Sequence, residues 1–372
     1  MKKNKFLFSI ISLISLSLIL ISCDKEKEEQ SESDKFDRTE MLRHYADNVI
    51  KPAYNDFYDA ILEMETAINA FNSNPTISTL QSARSAWEEA YNEFMFCNSF
   101  NFGPAGESGI RKSLVEEIGT WPINAELVYQ NISNQNYSFN DFNRDNRGFH
   151  ALDLLLFYGD SDAVIVDLYV NNSNYGQYLS ALVTKIKGQV QAVVNEWNGS
   201  YYSEFIGNNG TDVGSSSSLM YNEFVKSFEA IKNFKLGIPL GFRAGQTSPS
   251  PTSVEAVHSK KSLRFLTTHL QTIESLWHGR NKDGVDGIGW KEYIESSEGG
   301  PALIASTQAQ FDVVRSKLND IPQEIPLRDQ ISTNFAALET LHTELQRHTR
   351  FMKSDMSSIL GITITFSSGD GD

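Results

Sequence analysis

From residue 38 onward, apolar residues recur every three or four positions, the spacing of one helix face. Leu42, Tyr45, Val49, Ala53, Phe57, Ala60, Met64, Ala67 and Phe71 form the first stripe. Pro52 falls inside it and predicts a kink or the true start of the helix, because proline lacks the amide proton of an interior turn. Leu80, Ala83, Trp87, Ala90, Tyr91 and Phe94 form a second stripe, and residues 179–197 a longer one. A further helix is predicted over 147–158. In the second half, stripes over 220–234, 263–277, 302–318 and 331–352 predict four more. The only short strand candidate is ITITF at 362–366. Between 207 and 218 the chain reads GNNGTDVGSSSS, rich in Gly and Ser, which predicts a loop or domain linker. The pattern predicts an all-α chain of two four-helix-bundle-like domains, 38–205 and 206–372, packed side by side with a cleft between them.

The first segment does not follow this pattern. Lys2, Lys3 and Lys5 precede an apolar run from Phe6 to Ile21, and Cys23 follows two residues later. A charged head before a short greasy run is an export signal. A cysteine after small or apolar residues resembles a lipobox, so residues 1–22 are predicted to be removed and Cys23 lipidated. An uncleaved anchor is the alternative. Residues 23–37 are charged and mostly polar, the composition of a flexible acidic tether. The acidic stretch resembles the export signals of surface lipoproteins, with a plain solvated spacer as the alternative; that resemblance implies the cell envelope, as an outer-membrane lipoprotein facing the periplasm or the cell surface, with acyl chains as its membrane contact.

Charge narrows the partners further. The 372 residues carry 47 acidic and 32 basic side chains, a formal charge of -15. Removing residues 1–22 takes away three lysines and no acid, which moves this to -18. Such a surface repels phosphate backbones, so nucleic acid is not an expected partner. The two cysteines cannot build a disulfide framework or a Cys-based zinc site. None of the seven histidines lies in an HExxH arrangement.

One segment is chemically unusual. Phe149-His150-Ala151-Leu152-Asp153-Leu154-Leu155-Leu156-Phe157-Tyr158 is apolar on every helical face except at His150 and Asp153. A helix apolar all round is a buried helix. Residues at i and i+3 share a face, so the imidazole and carboxylate are expected side by side. Unpartnered polar burial costs about 1–3 kcal/mol or more. The two therefore satisfy each other, or turn together into a cleft and hold a metal or a ligand group. Two ligands do not complete a metal site. Other candidates are Glu93 as a further carboxylate, with Trp87, Arg243 and Gly148 lining the cleft. Arg84 and Glu88 are spaced as a surface ion pair. His348 and Cys97 read as packed core residues. His258, His269, His278 and His342 read as polar-face or helix-end residues, and 283–287 as a polar turn rather than a calcium loop.

Gly148-Phe149-His150-Ala151-Leu152-Asp153 resembles the GxHxxE motif of the imelysin-like proteins. SARSAWEEAYNEFMF at 82–96 with Phe102-Gly103-Pro104, NVIKPAYNDF at 48–57, LGIPLGFRAGQ at 236–246 and VEAVHSKKSL at 254–263 resemble other parts of that family, in the same order. The resemblance implies a role in bacterial iron uptake, with iron, or zinc as the alternative, at a site around His150 and Asp153, and a transporter or surface partner. It also carries a second reading, a metallopeptidase, since the family has been classed with peptidases. A third reading is a structural or adhesive module in which His150 and Asp153 only satisfy each other. Asp153 departs from the motif: its carboxylate reaches about 1.5 Å less far than a glutamate's, one carbon–carbon bond.

Overall fold

The apolar stripes become helices that wrap one another. A computed structural model describes residues 36–108 and 111–366. The predicted signal, Cys23, most of the tether and the last six residues lie outside that range. In chain order the helices are α1 (Arg38–His44), α2 (Lys51–Ser73), α3 (Ile77–Cys97), α4 (Leu114–Gly119), α5 (Ala125–Ser133), α6 (Gly148–Phe157), α7 (Asp162–Asn171), α8 (Ser173–Trp197) and α9 (Tyr201–Gly207). They continue with α10 (Ser216–Ala230), α11 (Ile238–Leu240), α12 (Ser262–Trp277), α13 (Trp290–Glu295), α14 (Gly300–Asn319), α15 (Leu327–Thr333), α16 (Phe335–Arg350) and α17 (Ser357–Leu360). The fold is all-α: the described residues contain no strand. No helix among them is long and apolar enough to cross a membrane.

Three helix pairs are joined by a widened π turn, in which the backbone bonds span one extra residue. These turns are Tyr45–Ile50 before α2, Ile231–Gly237 after α10 and Phe351–Met356 after α16. Of its two expected readings, Pro52 marks the start of α2. It lies in the first turn of α2, so its missing amide proton falls at the seam with the π turn.

α2 packs against α3 and α8 in the first half, and α14 against α16 in the second. α3 also lies along α12, so the halves meet through long helices, and the buried apolar side chains form one connected core through both. Two sequence expectations change. The segment 207–218 is a loop only as far as Ser215, which caps α10, and Ser216, Ser217 and Ser218 are buried in the helix's first turn. Asn209 is tied to α1, accepting from Arg38 Nε at 2.8 Å and donating to Thr39 Oγ1 at 2.7 Å. ITITF forms no strand either. Its backbone is held by one side chain, Asn222, which donates to Thr363 O at 3.0 Å and accepts from Thr365 N at 2.7 Å.

Candidate functional site

α6 is the predicted buried helix, and its entry is fixed by a glycine and an ion pair. Gly148 has φ of +76°, and a Cβ there would lie 2.3 Å from the carbonyl oxygen of Ile118. Only glycine lets α4 and α6 approach so closely. Just before it, the buried Arg147 guanidinium sits 3.0 Å from Glu117 Oε2 on α4. Trp87 Nε1 then donates to Phe149 O at 3.0 Å, tying α6 to α3.

His150 and Asp153 are both buried on α6, but they do not bond to each other. His150 Nε2 lies 2.9 Å from the Tyr91 hydroxyl on α3. That hydroxyl donates to Glu255 Oε1 at 2.6 Å. Glu255 Oε2 lies 2.8 Å from Lys235 Nζ in the second π turn. The four side chains form a buried polar line across the junction of the halves: imidazole, phenol, carboxylate, ammonium. A phenol has one proton. With that proton given to Glu255, the imidazole must donate from Nε2, which leaves Nδ1 as its lone-pair nitrogen. Burial, with the charges of Lys235 and His258, pushes the His150 pKa down to about 3, so the ring is neutral at ordinary pH. Burial also raises the Tyr91 hydroxyl well above its ordinary range, helped by the Glu255 charge.

Asp153 has a different task. Its Oδ2 accepts the His258 amide at 3.0 Å and its Oδ1 the Ser259 amide at 2.8 Å. The carboxylate thereby pins a tight turn in which Ala256 and Lys260 adopt φ of +49° and +63°. Burial raises the Asp153 pKa to about 6, against the opposing pull of these hydrogen bonds. Both site residues reach a cavity of about 640 Å³. The Trp121 ring forms one wall, 5.5 Å from the His150 ring. Tyr158 and His258, with ring centres 5.0 Å apart, form another. Lys260 and Arg328 add two cations to its lining.

The other predicted residues divide. Gly148 and Trp87 position α6 from behind, and neither lines the cavity. Glu93 is on a different face of α3 from Tyr91 and lies 3.4 Å from Lys282, which pairs with Asp56 at 2.6 Å. Arg243 is exposed in the loop after α11, where its amide donates to Gln246 Oε1, and does not reach the cavity. Arg84 does not pair with Glu88; it binds Asp162 at 2.7 Å and Leu156 O at 2.8 Å, while Glu88 meets Lys261 and Arg264. His348 is a core residue, as is Cys97. His269 and His258 were expected on polar faces. Instead His269 is fully buried, 2.6 Å from Ser227 Oγ, and His258 lines the cavity. Tyr91, Glu255 and Lys235 were not singled out. Tyr91 looked like one more member of an apolar stripe, and the segment containing Glu255 was visible only through its likeness to a family pattern.

The donor set can be tested against a resident metal. Among the described residues, no three His, Cys, Asp or Glu side chains come together as a metal-holding group. The residues thus do not fit a metal held by protein ligands alone.

Fold and site together define an all-α protein whose cavity-facing residues come from both halves of the chain. The chain belongs to the imelysin family, whose pattern matches residues 50–348. It is 24% identical over 296 residues to iron-regulated protein A of Synechococcus elongatus, covering 77% of this chain and 76% of that one. Two crystal structures share the fold. An iron-regulated protein A precursor from Parabacteroides distasonis superposes with a TM-score of 0.72 at 16% identity, over 87% of this chain and 95% of the other. An imelysin-like protein from Psychrobacter arcticum gives 0.68 at 17% identity, over 88% and 97%.

Proposed function

We propose that this imelysin-family protein serves bacterial iron uptake as a cell-envelope lipoprotein, binding iron as a chelate in the cavity around His150 and Asp153. The observation that carries the reading is the incomplete donor set beside a roomy cavity. His150 offers one neutral nitrogen. Asp153 offers carboxylate oxygens that already accept two amides. A metal ion needs three or more ligands, so the remaining donors come with the iron. Lys260 and Arg328 complement the negative charge of a carboxylate-rich chelate. The relatives' names support the iron connection. A hydrolytic metal would need a third protein ligand and a base, and Glu93 faces Lys282 instead.

The rest of the reading extends from this. Residues 38–205 and 206–372 act as the two units on either side of the ligand. Cys23 carries the acyl anchor on the outer membrane, and a transporter or surface partner receives the iron.

The test is titration of residues 24–372 with ferric citrate, and separately with ferrous and zinc ions under anaerobic conditions, beside a folded His150→Ala variant. Saturable ferric citrate binding that weakens at least tenfold in the variant is expected. Stoichiometric binding of bare iron or zinc, lost in the variant, would overturn the chelate reading. Chelator-sensitive cleavage of a protein substrate, lost in the same variant, would replace it with the peptidase reading.

A further inference from the structure

Behind the Trp121–Pro122 wall lies a second cavity, of about 380 Å³, lined mostly by apolar atoms. Phe94, Phe234 and Ile238 are among its lining residues, and Phe234 is 45% exposed at its rim. The polar line described above runs between the two cavities. His150 faces the first, and Tyr91, Glu255 and Lys235 face the second.

Two polar groups in this lining are not fully used. Lys235 is 3% exposed; its ammonium pairs with Glu255 and donates to Met95 Sδ at 3.1 Å, a weak acceptor. An ammonium carries three protons, so one remains for a further acceptor. Ser113 stands at the cap position of α4 but caps nothing, and its buried Oγ has no partner. A cap-position serine ordinarily bonds the amides of the helix it starts. An unmatched donor on Lys235 and a free hydroxyl in an apolar chamber call for a ligand with one polar head. At Lys235 the head must be neutral, because Lys235 and Glu255 already balance there, as Lys226 and Glu223 do elsewhere in the lining.

We propose that this second cavity is a separate ligand site for a small, mostly apolar molecule carrying one neutral hydrogen-bond acceptor, such as a ketone, amide or phenol oxygen. The proposal does not depend on what occupies the first cavity. Its apolar walls bind the body of the ligand, Lys235 fixes the head, and Ser113 offers a second free hydroxyl in the same lining. Pockets of this size and lining are typical of small-molecule sites.

Benzophenone and 2-naphthol serve as probes, titrated into residues 24–372 and followed by saturation-transfer NMR and calorimetry. The expected result is saturable one-to-one binding of at least one probe. Ala230→Phe fills the chamber from its half-buried lining and leaves the polar line untouched; it should weaken that binding at least tenfold. Phe234→Ala, at the exposed rim, should weaken it several-fold and serves if Ala230→Phe does not fold. His150→Ala should leave probe binding within twofold of wild type. Absence of saturable binding by both probes overturns the proposal. So does equal binding by wild type and both cavity variants, or a loss caused by His150→Ala alone.

Discussion

Tyr91→Phe removes one oxygen from the centre of the molecule and keeps the ring. The ring packs against Phe149 and Phe265, with centres 5.0 and 4.6 Å away. Those contacts survive in phenylalanine, so the loss isolates the hydroxyl. Two buried groups then lose a partner: the His150 Nε2 proton and Glu255 Oε1. Each unsatisfied buried group costs about 1–3 kcal/mol. Glu255 keeps Lys235, and the imidazole can shift its proton to the other nitrogen, so the sum falls toward the lower end, about 2–4 kcal/mol. Urea unfolding monitored by fluorescence and circular dichroism gives this number directly, with an unchanged slope expected. Nitrogen-15 shifts of the His150 ring should also move from a proton on Nε2 to one on Nδ1. A stability loss under about 0.5 kcal/mol, with the histidine tautomer unchanged, would refute the polar line.

Other outcomes follow from the same geometry. Gly148→Ala should cost at least about 3 kcal/mol, because a left-handed conformation and a collision with backbone act together; a melting shift of under 1 °C would contradict this. Asp153→Asn replaces one acceptor oxygen by a donor facing an amide, so about 2 kcal/mol or more should be lost, with faster amide exchange at His258 and Ser259. Asp153→Glu restores the family's residue type but adds a methylene at a position only 1% exposed, and should destabilise by about 1–3 kcal/mol. The pH dependence has a definite sign. The His150 pKa is depressed from 6.5 to about 3. Its contribution is therefore full above pH 6.5 and is lost as pH falls toward 3, at most on the order of 5 kcal/mol. Asp153, raised from 3.8 to about 6, acts oppositely: its contribution is lost as pH rises from 3.8 to 6. His150→Gln should therefore flatten acid unfolding between pH 6.5 and 3, measured by equilibrium denaturation across that range.

The long helices were legible because their burial is one-sided. α2, α3, α8, α12 and α16 each turn a periodic apolar face to the core, and that period is written in the residues. The short helices between α3 and α6 were not legible, since six to nine residues give too few turns to show a period. α7 escaped because its apolar residues are not confined to one face, and Val164, Leu168 and Val170 are exposed. His150 and Asp153 stood out as polar residues in an apolar helix. The polar line beyond His150 did not, because Tyr91, Glu255 and Lys235 are separated from His150 by 59 to 105 positions along the chain. Glu93 misled for a simple reason: two positions along a helix from Tyr91 is more than half a turn away.

The second π turn has a consequence for how such a site arises. A π turn holds one residue more than the α turn it replaces. Lys235 lies within that surplus turn, and it is the only cation on the polar line. Deleting Phe234 would return the turn to ordinary pitch and swing every following residue by about 100° around the axis, carrying the ammonium away from Glu255. In sequence comparisons, the lysine and the extra residue should therefore be gained and lost together. A relative one residue shorter here should carry an uncharged partner for its glutamate, or no glutamate at all.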